Sequence, residues 1–305
     1  MKIKIYLLQL LIGLVIVEAA NAQQQATFAQ YMFNGLAINP GYAGQHEALS
    51  VSLLSRFQNA GLPGAPNTQT LSVHSPLVAK RVALGALLVH DKIGVISQTG
   101  FNLVYAYRLP LLGGKSVSMG LQGGFSAYRA MYTDLDIYQP DPVFSQDVRQ
   151  TRPNIGAGVF YNAKIWYLGL SAPHMVNNVF TRGDDFSTVR QNVPVMLSGG
   201  YVTKISNKVK FKPNALLKWV DNRPVELDVN ANFLIEDVVW AGLSYRTSNG
   251  LNFLLDVQAT DQLRVGYSYA LALGPIRSIE IGTHEFFVGY IFKHNMKGVV
   301  TPRYF

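Results

Sequence analysis

The chain has 305 residues, of which 49% are hydrophobic, 11% aromatic and only 14% charged, with a formal charge of +8 and no cysteine. The charged share is far below the roughly 25% of ordinary soluble domains, and the lack of cysteine excludes a disulfide framework, a thiolate metal site and a catalytic thiol. Lys and Arg are scattered rather than blocked, so no nucleic-acid partner is expected; the basic balance fits anionic lipid head groups or an acidic partner.

The first residues have the pattern of a targeting segment. Lys2 and Lys4 precede an apolar stretch, Leu7 to Val17, and the small residues Ala20-Asn21-Ala22 form a cleavage site. Residues 1–22 are therefore read as a cleaved signal peptide, and removing Lys2, Lys4 and Glu18 takes the charge from +8 to +7. Residues 23–48 follow as a separate motif segment. It reads Gln30-Tyr31-Met32-Phe33-Asn34, then Asn39-Pro40-Gly41-Tyr42-Ala43-Gly44. Asn-Pro and Ala-Gly are turn formers, yet aromatics are interleaved among them, so the segment should pack against the lumen or periplasmic rim of a larger structure, as a plug or a docking element.

Beyond Gln23 no run approaches the ~18 apolar residues of a membrane helix. Alternation dominates instead. Phe101, Leu103, Tyr105, Tyr107 and Leu109 oppose Asn102, Ala106 and Arg108; Val117, Met119, Leu121 and Phe125 oppose Ser118, Gln122, Ser126 and Tyr128. Leu227, Val229, Ala231, Phe233 and Ile235 oppose Glu226, Asp228, Asn230 and Asn232, and the same holds around Leu251–Gln258 and Leu263–Tyr269. A period of two in separate segments of about ten residues is the strand signature of a transmembrane barrel, although a soluble β-sandwich also alternates.

The connections separate the two. Candidate strands lie at 50–57, 68–75, 81–90, 100–109, 115–129, 153–161, 164–171, 194–204, 209–220, 225–235, 238–247, 251–258, 261–269 and 284–293. Long connections (58–67, 91–99, 130–152, 172–193 and 270–283) alternate with short ones such as Pro110–Gly114 and Glu236–Asp237. That is the loop-and-turn asymmetry of an outer-membrane barrel. The expectation is an all-β, transmembrane antiparallel β-barrel of about fourteen strands over 49–293, with a tail at 294–305 and outer-membrane lipid as its surroundings. The final strand places Phe286, Val288, Tyr290 and Phe292 on one face, as at an interfacial girdle.

No catalytic set emerges. His46, His74, His90, His174, His284 and His294 lack metal-site spacing, and no nucleophile motif is present. Neither enzyme activity, a metal nor a cofactor is expected. The inward candidates Lys218, Glu226, Asp228, Arg246, Asp256 and Arg264, with Lys212 and Asn214, suit a salt-bridged lumen or a substrate-conducting lining. Phe144, Phe180 and Phe186 sit in long loops, where they would anchor a partner or fold inward as a cap.

The motif segment carries a family resemblance. With Leu243-Ser244-Tyr245-Arg246, Gly266-Tyr267-Ser268-Tyr269, Thr283-His284-Glu285 and the closing Pro302-Arg303-Tyr304-Phe305, it resembles the PorP/SprF family of type IX secretion system outer-membrane proteins. Gly41 stands where that family usually has Ala, and Thr283 where Ser is common. The resemblance implies an outer-membrane barrel that serves protein secretion and, in some bacteria, gliding motility. Implied partners are secreted or surface-anchored, adhesin-like proteins and other secretion-system components. Partner-binding candidates are then Tyr31, Phe33, Asn34, Asn39, Pro40, Tyr42, Phe144, Phe180 and Phe186. A transport barrel for small or hydrophobic solutes is the competing reading.

Overall fold

A computed structural model describes residues 28–77, 81–136, 138, 144–182, 186–248, 250–271 and 282–292. The expected signal peptide, the tail and the Pro302–Phe305 motif lie outside these residues. Fourteen strands form a closed antiparallel barrel: β1 (Leu49–Phe57), β2 (Asn67–Pro76), β3 (Val82–Ile93), β4 (Ile96–Leu111), β5 (Lys115–Ala130), β6 (Val148–Asn162), β7 (Trp166–Ala172), β10 (Pro194–Tyr201), β12 (Val209–Val220), β13 (Glu226–Ile235), β14 (Val239–Arg246), β15 (Gly250–Gln258), β16 (Leu263–Leu271) and β17 (Thr283–Phe292). Pairing of β1 with β17 and of β10 with β7 and β12 completes the ring. A short hairpin, β8 (Asn178–Arg182) with β9 (Phe186–Gln191), forms its own sheet, and the two-residue β11 (Thr203–Lys204) pairs with β12.

Closure is what allows strands to cross hydrocarbon, because every ladder group finds a partner. The alternation then sorts the side chains. In β15, Leu251, Phe253 and Leu255 are exposed on the outer wall while Asn252, Leu254 and Asp256 are buried inside. Leu103, Tyr105, Met119, Leu121 and Val159 extend the apolar outer face, and Phe286, Val288 and Phe292 do so on β17. Among the described residues no helix is long and apolar enough to cross a membrane.

Two connections differ from expectation. The loop expected at 91–99 is a two-residue turn, because β3 and β4 stay paired up to Ile93 and Ile96. The added pairs Asp91–Gln98 and Lys92–Ser97 are polar on both faces, so hydrophobic alternation ends although the ladder does not. The 172–193 connection is also not plain loop, since it carries the β8–β9 hairpin. The long connections still gather at one end of the barrel, which also carries the two-residue turn and the short 221–225 and 247–249 connections, while the connections at the other end are short throughout.

Candidate functional site

Residues 28–48 run through the lumen. No apolar period supports a long helix there, and the chain instead makes three 3-10 turns, Tyr31–Phe33, Gly35–Ala37 and Pro40–Tyr42. The last is set locally: Asn39 accepts a 2.8 Å hydrogen bond from the Gly41 N–H, and Pro40 occupies the first position, where its missing N–H costs nothing.

The segment starts near the long-loop mouth. The Glu285 carboxylate accepts from the Ala29 N–H at 2.9 and 3.0 Å and from the Gln30 N–H at 3.4 Å, and pairs with Arg56 at 3.4 Å. Arg246 donates to the Phe28 carbonyl at 2.9 Å while pairing with Asp228 at 2.7 Å. Both acids and both arginines are buried. Buried charges need such geometry, because desolvation otherwise outweighs attraction.

Deeper in, the chain fills the barrel. Asn230 donates to the Tyr31 hydroxyl at 3.0 Å. Phe33 packs edge-on to Trp240 at 5.9 Å, near Phe287 at 6.1 Å, and lies under the Arg264 guanidinium at 4.8 Å and the Lys212 ammonium at 5.6 Å. Cations over aromatic faces are stabilised by the ring quadrupole. Leu54, Met196, Leu216, Leu234 and Leu254 join this apolar cluster from the wall.

The segment leaves by the turn end. Asn39 donates to the Val159 carbonyl at 3.0 Å, and Ser171 donates to the Ile38 carbonyl at 2.6 Å. A side chain at Gly120 would overlap the Pro40 backbone, and one at Gly158 would overlap the Asn39 amide; glycine is what lets the turn approach the wall this closely. Arg108 then donates to the Gly44 carbonyl at 2.8 Å and the Gln45 amide oxygen at 3.0 Å, and it pairs with Glu47 at 3.4 Å.

A cavity of about 200 Å³ lies between the plug and the long-loop mouth, lined by Phe28, Ile38, Asp91, Tyr128, Lys218 and Glu226 among others. His174 also borders it, and burial pushes its imidazole down to about 4. In the 131–147 connection, the Thr133 N–H and hydroxyl hold the Asp147 carboxyl below its usual range.

The anticipated residues are sorted by this arrangement. Tyr31, Phe33, Asn34, Asn39, Pro40 and Tyr42 are all buried in the lumen. In this arrangement the apolar and turn-forming groups of the segment face the barrel's own wall. Phe180 is 2% exposed and stacks on Tyr128 at 5.0 Å. Phe144 is half-buried against Tyr132 at 5.7 Å. Phe186 lies opposite Arg182 in the hairpin. Lys218, Glu226, Asp228, Arg246 and Asp256 are buried inside the barrel, and Arg264 is half-buried there.

Sequence reasoning placed Glu285 in the family motif and Arg108 on the polar face but gave neither a role, and it missed Arg56 and the inward aromatics Trp240 and Phe287. A signal existed for the first: Glu285 shares the inward face with Thr283 and Phe287 and is the one acid in β17. Among the described residues no cluster of three or more His, Asp or Glu side chains is placed to hold a metal.

The family model for type IX secretion system membrane protein PorP/SprF matches residues 20–290. Similar solved structures include the CymD monoaromatic hydrocarbon channel, with 11% identity over 90% of this chain and 95% of that chain and a TM-score of 0.48. A Pseudomonas aeruginosa FadL homologue shares 12% identity over 80% and 90% with a TM-score of 0.46. The KdgM porin shares 9% over 80% and 99% with a TM-score of 0.40. Likeness at this level says nothing of what this chain carries. No curated protein matches the chain.

Proposed function

The chain belongs to the type IX secretion system membrane protein PorP/SprF family, and from that membership we propose that it binds partner surface proteins and helps to export or anchor them. It does so without catalysis, as a component of the outer membrane.

The observation that carries this reading is the filled lumen. A wall of fourteen strands encloses more space than its own side chains fill, and residues 28–48 occupy it with contacts to strands all around the ring. A barrel packed in this way is suited to holding a partner at its mouth and ill suited to conducting solutes, so the inward charges serve as plug clamps rather than as a conduction path. The working surfaces are then the 131–147 and 173–193 connections and the cavity beneath them.

The test is a gene deletion followed by quantification of secreted and surface proteins beside uptake of small solutes. One or a few surface proteins should disappear while uptake is unchanged. An unchanged surface proteome with lost import of a nutrient would overturn the proposal in favour of transport.

A further inference from the structure

The outer wall of β3–β6 continues past its apolar band at the long-loop end. There, successive strands are paired Lys92 to Ser97, Ser97 to Arg129, and Arg129 to Arg149. One row across four strands thus holds three cations, all exposed. By strand alternation they share the face of Leu88, Leu103, Leu121 and Ile155, which are exposed on the outer wall.

The layers below the row are ordered. Next come His90, Thr99, Ala127 and Thr151, with His90 and Thr99 hydrogen-bonded at 2.8 Å. Then come Leu88, Phe101, Phe125 and Pro153, with the two phenylalanine rings 6.0 Å apart. The face passes from apolar to aromatic to hydroxyl-bearing to cationic, the profile of a bilayer edge. Arg129 stands four residues beyond Phe125, about 13 Å along the strand and about 10 Å in height at a tilt of about 40°. Long arginine side chains reach back over that distance into the headgroup layer.

Among the described residues no carboxylate forms an ion pair with the row. Arg129 and Arg149 are directly opposite, where like charges repel. Asp147 lies close enough to Arg149 for its charge to be felt, but it already accepts from the Thr133 N–H at 3.2 Å and hydroxyl at 2.9 Å. Among the described residues Arg149 otherwise hydrogen-bonds to the Met131 sulfur, at 3.9 Å, and Lys92 and Arg129 have no hydrogen bond or ion pair.

We propose that Lys92, Arg129 and Arg149 bind the phosphate-bearing headgroup of an outer-leaflet glycolipid, whose acyl chains lie on Phe101, Leu121, Phe125 and Ile155. Arginine favours this ligand because its planar fork matches phosphate oxygens and remains charged.

The test uses the full-length protein in nanodiscs containing a bisphosphorylated lipid A, the same lipid dephosphorylated, or neutral lipid with inorganic phosphate, with retained lipid read by native mass spectrometry. The parent should retain the bisphosphorylated lipid at least tenfold over its dephosphorylated form. Arg129→Gln with Arg149→Gln should abolish that preference without changing heat-modifiable migration, and Lys115→Gln at the turn end should not affect it. Equal retention by parent and double variant would overturn the assignment. So would inorganic phosphate competing as well as the lipid, or an acidic protein whose capture, rather than lipid retention, depends on the two arginines.

Discussion

Glu285→Ala should unseat the amino-terminal end of the plug while leaving the wall intact. The side chain satisfies the N–H groups of Ala29 and Gln30 and pairs with Arg56, all in a buried setting. Two orphaned N–H groups cost about 1–3 kcal/mol each, and a buried arginine stripped of its partner costs about 3–5 kcal/mol. These penalties overlap, because water follows the deleted carboxylate, so about 4 kcal/mol is a fair working figure, or about a thousandfold in the unseated population. The chain lacks cysteine, so Ala29→Cys provides a single reporter at a site only 1% exposed. Its maleimide labelling rate should rise by about two to three orders of magnitude in Glu285→Ala. In Glu285→Gln, which keeps an acceptor oxygen but loses the charge facing Arg56, the rise should be about tenfold. Heat-modifiable migration controls for loss of the barrel. Equal labelling of Glu285→Ala and the parent, with both barrels intact, would refute the clamp.

Leu255→Arg should reduce the heat-modifiable fraction, because a cation on the lipid face costs about 2–4 kcal/mol near the midplane. Asn252→Arg should instead speed Ala29→Cys labelling, since Asn252 is 2% exposed and faces a filled lumen where overpacking costs about 1–3 kcal/mol. Gly158→Val should drive Asn39 from its seat and make residues 28–48 protease-sensitive, whereas Gly123→Val, with open space around it, should not. Burial lowers His174, so packing of the 173–177 segment should be constant above about pH 6.5 and weaken as pH falls towards about 4. Hydrogen exchange, corrected for its intrinsic pH dependence, should show this, and His174→Gln should flatten the response. Excising 179–190 should preserve the barrel, because Asn178 and Gln191 are cross-strand neighbours; co-purification of a surface partner should then fall to background, and undiminished capture would remove the hairpin from the interface.

The wall was legible because lipid on one side and the lumen on the other impose opposite chemistry on alternate residues. Each of the fourteen barrel strands overlaps a segment read from alternation, and Asp228 and Arg246 stand inside as their parity requires. Legibility failed where that contrast vanishes, as at His90–Lys92 and Ser97–Thr99, which pair above the apolar band with polar groups on both faces. The plug was half legible. Aromatics among turn formers announced a segment that must pack, but its partners are distant in sequence: Phe28 meets Arg246, and Ala29 meets Glu285. One overlooked signal was available in Leu216, Leu234, Trp240 and Leu254, which are apolar at inward positions of four successive strands. An aqueous lumen would leave such residues wet, so their run marks where something dry must sit.

The two ends of the plug are held by opposite chemistry, and this bears on what the barrel can do. At the long-loop mouth, buried acids accept from the plug backbone or hold the arginine that binds it; at the turn end, Arg108 grips carbonyl and amide oxygens. Between them Phe33 sits in an apolar and cationic cage drawn from β12, β14, β16 and β17. A packed interior has low compressibility, so a wall supported from within resists the lateral distortion that a hollow ring of this size would undergo. Conduction would require that support to leave, breaking several buried charge contacts together. Holding a large partner at the cell surface requires it to stay. Under the proposed function, a lumen occupied by residues 28–48 leaves the barrel's surfaces as the place where its work is done.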